Sequence, residues 1–234
     1  MKALILSAGQ GQRMRPLNQN LPKPLLTVGE WTLLEHHLIK LKSAGINDIY
    51  INVYHLAEMI VDRIGDGSNY GVNVTYVYQD QLLGSGGDTY NALRQMILDD
   101  KNSIGNLDRG FIMISADVYS EYDYSGFNRT LAGNSLGRLL MVKSDKYPDG
   151  CRYAMDEDGF LCKKGELWNW SSIAMLKPEL FADCVAGEFP LIGLFDNAVE
   201  SGRMEGECYD GLWYNLGTPQ DLEALKSELA ASAL

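Results

Sequence analysis

Between Lys2 and Ser115 four short apolar runs alternate with three segments of helical periodicity, and this alternation narrows the possible folds sharply. The runs are Lys2–Ser7, Asp48–Val53, Val72–Tyr78 and Gly110–Ser115. Each is too short for a helix, and several are rich in the β-branched and aromatic residues of a buried strand. The segments between them are Leu33–Ser43, Leu56–Ile64 and Asp88–Leu98. In the first, Leu34, Leu38 and Leu41 fall on one helical face, and Gly45 marks its end. Parallel strands need crossover connections of this length. The pattern therefore predicts an α/β fold: a Rossmann-like three-layer sandwich whose central sheet is mostly parallel, with helices on both faces. In such sheets ligands bind outside the C-terminal ends of the strands.

After about residue 136 the texture changes. Short strand-like pieces at Leu136–Val142, Cys151–Met155, Phe160–Cys162 and Ser171–Leu176 follow one another without long helices. They read as a small β region laid across the sheet. Helical patterns return at Pro178–Cys184, Leu191–Ser201 and Pro219–Ala230. No repeat or low-complexity linker divides the 234 residues, so one domain is expected, with halves at 1–135 and 136–234.

The first strand breaks into Ser7-Ala8-Gly9-Gln10-Gly11-Gln12-Arg13, and Pro22-Lys23-Pro24-Leu25 follows. Glycines at a strand end let backbone N–H groups approach a phosphate. Arg13 can fork onto two phosphate oxygens, and Lys23 adds a point charge. The dinucleotide-binding fingerprint needs a third glycine where this chain has Met14. The P-loop needs a Gly-Lys-Ser/Thr tripeptide that does not occur. Both are excluded. Asp117 follows the apolar strand Phe111–Ile114 and would emerge at its C-terminal end, where a hard oxygen ligand suits Mg²⁺.

These motifs resemble the signature of the sugar-1-phosphate nucleotidyltransferases: L-S-A-G-x-G-x-R-M-R-P-L, then P-K-P-L, then Trp213-Tyr214-Asn215-Leu216-Gly217-Thr218-Pro219 late in the chain. The resemblance implies that Ser7, Ala8, Gly9 and Gly11 wrap a nucleoside triphosphate whose phosphates Arg13 and Lys23 neutralise. It implies Mg²⁺ held by Asp117 and by Asn215, where the family usually has an aspartate. Gln79 and the run Gly84-Ser85-Gly86 correspond to the family's base-reading segment, in which a glutamine amide can meet both a donor and an acceptor. Lys164 and Glu166 lie where relatives face the sugar phosphate, although a solvated charge run gives the same pattern, and Trp168 offers a ring to stack on a sugar face, although a buried or interface aromatic reads the same way. Within the family the chain is most similar to uridylyltransferases acting on an N-acetylated sugar 1-phosphate. A mannose-1-phosphate guanylyltransferase is the alternative, and a non-catalytic nucleotide sensor is a further one.

A formal net charge of −11 argues against non-specific nucleic-acid binding. The four cysteines are dispersed without a C-x-x-C pair, so neither a zinc site nor a disulfide framework is implied. Reduced cytoplasmic thiols are expected. No run is long enough for a membrane helix or a signal peptide.

Overall fold

The computed structural model describes residues 1–15, 17, 19–100, 107, 109–143 and 150–232, so Pro16 and Asn18 of the opening loop lie outside the described residues. In chain order the strands and helices are β1 (Lys2–Leu6), β2 (Thr27–Val28), β3 (Trp31–Thr32), α1 (Leu33–Ser43), β4 (Asp48–Val53), α2 (Ala57–Ile64), β5 (Asn73–Tyr78), α3 (Gly84–Asp100), β6 (Phe111–Ser115) and β7 (Val118–Ser120). They continue as β8 (Gly137–Val142), β9 (Cys151–Met155), β10 (Leu161–Cys162), β11 (Trp168–Leu176), α4 (Leu191–Glu200), β12 (Met204–Tyr209), β13 (Trp213–Asn215) and α5 (Pro219–Ser232).

The expected parallel centre is present: β6, β1, β4 and β5 lie side by side and run the same way. Alternation along β1 sends Ala3 and Ile5 into the core under α1 and α2, and Leu4 into the core under α3 and α4. All three are fully buried, which is what a sheet covered on both faces requires. The last rung runs Val77–Asn52–Leu6–Ser115 across four strands. That rung marks the C-terminal edge of the sheet.

Three expectations need correction. The later strands do not lie across the sheet; β11 pairs antiparallel with β6 and carries β8 and β9 on its other edge, so they extend it. Pro178–Phe181 is only a 3-10 turn. And α3 starts at Gly84, four residues before Asp88, so the glycine run is helical. The reason is a partner from the other half of the chain. The N–H groups of Gly86 and Gly87 donate to the Phe189 carbonyl at 2.9 and 3.1 Å. A Cβ on Gly87 would lie 2.2 Å from the Gly187 carbonyl oxygen, so only glycine admits this approach. Among the described residues no helix is long and apolar enough to cross a membrane.

Candidate active site

The loop after β1 is tied down at its start and its turn. Ser7 N–H donates to Asn52 Oδ1 at 2.6 Å. Gly11, at φ 59, swings the chain into a 3-10 turn at Gln12–Met14. Met14 is fully buried and anchors that turn, which leaves Arg13 exposed on the rim. The Arg13 guanidinium reaches the late motif: a Cβ on Gly217 would lie 3.5 Å from its Nη2.

Pro22 and Pro24 hold Lys23 in a second 3-10 turn. Its side chain is 7% exposed, and Nζ donates to Asp117 Oδ2 at 2.6 Å. Ser115 Oγ donates to Asp117 Oδ1 at 2.7 Å. Burial pushes the Asp117 carboxyl upward, but the Lys23 ammonium and the Ser115 hydroxyl outweigh it and hold it below the ordinary carboxylate value. The late motif joins here. In the β7–β13 pair Asn215 lies opposite Val118, and Leu216 N–H donates to the Asp117 carbonyl at 2.9 Å. Thr218 caps α5, exchanging hydrogen bonds with Asp221.

A cleft of about 630 Å³ opens over these groups. Ser7, Ala8, Gly9, Gly11, Arg13 and Lys23 line it, with Gly84, Ser85 and Asp117. Nine predicted residues from four separate segments thus meet in one cavity. Gly86 is not among them; a Cβ there would meet the Phe189 ring at 2.4 Å, so this glycine serves packing between the two halves. The sugar-side residues also lie away from the cleft lining. Glu166 pairs with Lys143 at 2.7 Å, and the same ammonium sits 4.7 Å from the Trp168 ring centroid. Lys164 is exposed.

Gln79 is committed inside the protein. Its Nε2 donates to Asp88 Oδ1 at 2.8 Å and to the Gln81 carbonyl at 3.1 Å, while Oε1 accepts from Asn52 at 3.2 Å. Both ends of this amide are thus hydrogen-bonded within the protein. Asn52, Asp88 and Glu188 were missed by sequence reasoning, and the last two line the cleft. Asn52 carried a signal, as the single amide in an otherwise apolar strand interior.

The donor set suits a magnesium ion that arrives with phosphate. One carboxylate, Asp117, lies beside the strand that carries the Asn215 amide, and Mg²⁺ is commonly held by one or two carboxylates plus phosphate oxygens and water. Among the described residues no group of three His, Cys, Asp or Glu side chains forms an independent metal centre.

Residues 2–154 match the family model described as nucleotidyl transferase. Over 226 residues the chain is 32% identical to the N-acetylmuramate alpha-1-phosphate uridylyltransferase of Neisseria meningitidis serogroup B, spanning 93% of this chain and 94% of that one. It is 35% identical over 236 residues to the mannose-1-phosphate guanyltransferase of Schizosaccharomyces pombe, spanning 94% of this chain and 62% of that one. The crystal structure of HddC from Yersinia pseudotuberculosis complexed with GMP-PN shares the fold, with a TM-score of 0.75 at 20% identity over 97% of this chain and 99% of that one.

Proposed function

Because this chain belongs to the nucleotidyl transferase family, we propose that it transfers the uridylyl group of UTP to a sugar 1-phosphate, N-acetylmuramate 1-phosphate, and releases pyrophosphate. That acceptor would give it a part in cell-wall recycling. The observation that carries the reading is the Lys23–Asp117 pair on the floor of a cleft ringed by the backbone of Ser7–Gly11. A buried ammonium and an anion-binding loop of backbone N–H groups are what a polyphosphate under attack requires.

In the reaction an oxygen of the sugar phosphate forms a bond to the α-phosphorus, and the bond from that phosphorus to the bridging oxygen of pyrophosphate breaks. The attacking phosphate is already anionic near neutral pH, so no strong general base is needed. The barrier is the approach of two anions, met by positioning and charge neutralisation. The loop N–H groups and Arg13 hold the β- and γ-phosphates. Lys23 neutralises the α-phosphate and the leaving group. Asp117 and Asn215 would hold Mg²⁺, which supplies further charge neutralisation at the phosphates. Lys23→Ala is expected to lower turnover by roughly two to three orders of magnitude.

A second reading, guanylyl transfer to mannose 1-phosphate, is favoured by the Schizosaccharomyces relative and by the Asp88 carboxylate in the cleft. Guanine offers a carboxylate two adjacent donors. Pyrophosphate release measured across UTP, GTP, dTTP, CTP and ATP, each with several sugar 1-phosphates and Mg²⁺, separates the two. A preference for GTP with mannose 1-phosphate would establish the second reading, and no release from any pair would overturn both.

A further inference from the structure

The sheet ends on β5, and that end is bare. Asn73 N–H donates to the Asn47 carbonyl and Gln79 N–H to the Val53 carbonyl. By alternation Asn73, Thr75, Val77 and Gln79 turn their main chain toward β4, and Val74, Tyr76 and Tyr78 turn theirs outward. Val74 N–H is taken by the Asp66 carbonyl at 2.9 Å. The main-chain N–H and C=O groups of Tyr76 and Tyr78 meet no partner among the described residues.

Sheets protect such edges with charge, proline, bulges, very short strands or a cover. The other terminal strands of this sheet use those devices. β10 has two residues. β12 carries Glu205 and Glu207, and it is partly covered by its bridge to Phe160 and by the Gly206 N–H bond to the Gly159 carbonyl. β5 reads Asn-Val-Thr-Tyr-Val-Tyr, without charge or proline, and pairs with β4 along its whole length without a bulge. Its side chains are also turned outward in part. Tyr78 is 57% exposed, and its ring centroid lies 6.4 Å from that of the half-buried Tyr76. Tyr76 packs at the margin of the core under α1 and α2, so by alternation both rings stand on that face, while Val77 packs under α3.

We propose that β5 docks antiparallel against β5 of a second copy of this chain, about a twofold axis through Val77. In that register Tyr76 of each copy lies opposite Tyr78 of the other. Each such pair exchanges two main-chain hydrogen bonds, and the Val77 pair between them occupies the narrow rung that has none. The tyrosines of both copies meet on one face, where aromatic cross-strand pairs favour association. A second copy suits this edge better than a foreign strand. Two outward residues separated by one are their own complement, and β5 offers no charge by which another partner would be selected. Pairing stops at Val74, whose N–H is already used, so the interface is small and the dimer weak and transient. The net charge of −11 on each copy opposes association, so salt strengthens it.

The test is sedimentation velocity of the whole chain at rising concentration in low and high salt, with amide hydrogen exchange followed by NMR. A dimer with a dissociation constant below about 1 mM is expected, severalfold tighter in the higher salt. As it forms, exchange at the Tyr76 and Tyr78 amides should slow severalfold while that at Val74 stays constant. Tyr78→Glu and Tyr78→Lys each set like charges on diagonal neighbours across the axis, and each alone should weaken the dimer about tenfold. An equimolar mixture of the two variants should dimerise at least as tightly as wild type. A chain that stays monomeric at about 1 mM in high salt overturns the proposal. So does a dimer whose Tyr76 and Tyr78 amides exchange as in the monomer, one that both substitutions leave unchanged, or a mixture that stays monomeric. If either variant does not fold, the wild-type amide exchange carries the test.

Discussion

The Lys23–Asp117 pair is lopsided, and its two halves should not be equally costly to lose. The Lys23 side chain is 7% exposed, whereas that of Asp117 is 34% exposed. Asp117→Ala strands a largely buried ammonium between two prolines without its carboxylate partner. Removing one partner of a buried pair costs about 3 to 5 kcal/mol, and we take about 3 because the Asp117 end of this pair opens to the cleft. Lys23→Met leaves a carboxylate that reaches water and keeps its bond from Ser115, so a loss near that of an exposed pair, about 1 kcal/mol, is expected. At roughly 2 to 4 °C per kcal/mol for a chain of this size, Tm should fall by about 6 to 12 °C in the first variant and about 2 to 4 °C in the second. Urea unfolding at pH 7.5, with the double variant closing the cycle, measures both losses and their coupling. The Asp117 carboxyl is held below its ordinary value of 3.8, so its share of stability is present above that pH and lost as the pH falls through the lower folded value. A Lys23→Met protein as unstable as Asp117→Ala, or a cycle without coupling, would refute this account of the pair.

Other outcomes follow from separate features. His37 is buried against the Tyr124 hydroxyl, and burial, with His36 and Lys40 nearby, lowers its pKa from 6.5 to about 3. The unfolded chain takes up that proton first, so stability should fall as the pH drops from 6.5 toward 3, by about 2 kcal/mol at pH 5. His37→Gln should remove that part of the slope, and a wild-type-to-variant difference that does not change with pH would argue against it. Gly87→Ala puts a Cβ against the Gly187 carbonyl and should cost about 1 to 3 kcal/mol in urea unfolding together with nucleotide affinity. Gly9→Ala meets nothing within 4 Å, so stability should stay within about 0.5 kcal/mol while pyrophosphate release drops, because the new methyl stands in the phosphate cradle. Asn215→Asp should retain or raise turnover and lower the Mg²⁺ concentration needed for half-maximal rate. Inactivity of that variant with an unchanged circular dichroism spectrum would remove Asn215 from the metal site.

What the sequence made legible is whatever its neighbours determine within about ten residues. The bounds Leu33–Ser43, Asp48–Val53 and Cys151–Met155 are those observed, because periodicity and end signals are local. For α1 the reason is visible: Thr32 and Glu35 cap each other reciprocally at its start. The opening loop was legible for the same reason, as Gly9, Gly11, Arg13 and Lys23 are close together in the chain. Contacts made across the fold were not. Lys23 meets Asp117 from 94 residues away, and the strap at Phe189 reaches Gly86 and Gly87 from the far half. A glycine in a sequence shows that something approaches closely, but not what, so the run at Gly84 read as a loop instead of a helix packed under a carbonyl. Lys164 and Glu166 illustrate an ambiguity of another kind: a charge run reads alike whether it binds a sugar or lies on the surface, where Glu166 pairs with Lys143. Asn52 shows where more was available. A primary amide inside an apolar, fully buried strand cannot be left unpaired, since a buried polar group without partners costs more than most single contacts return. Its presence between Ile51 and Val53 therefore requires polar partners at the C-terminal edge of the sheet, where the ligand must also lie. The structure supplies those partners as Ser7 and Gln79.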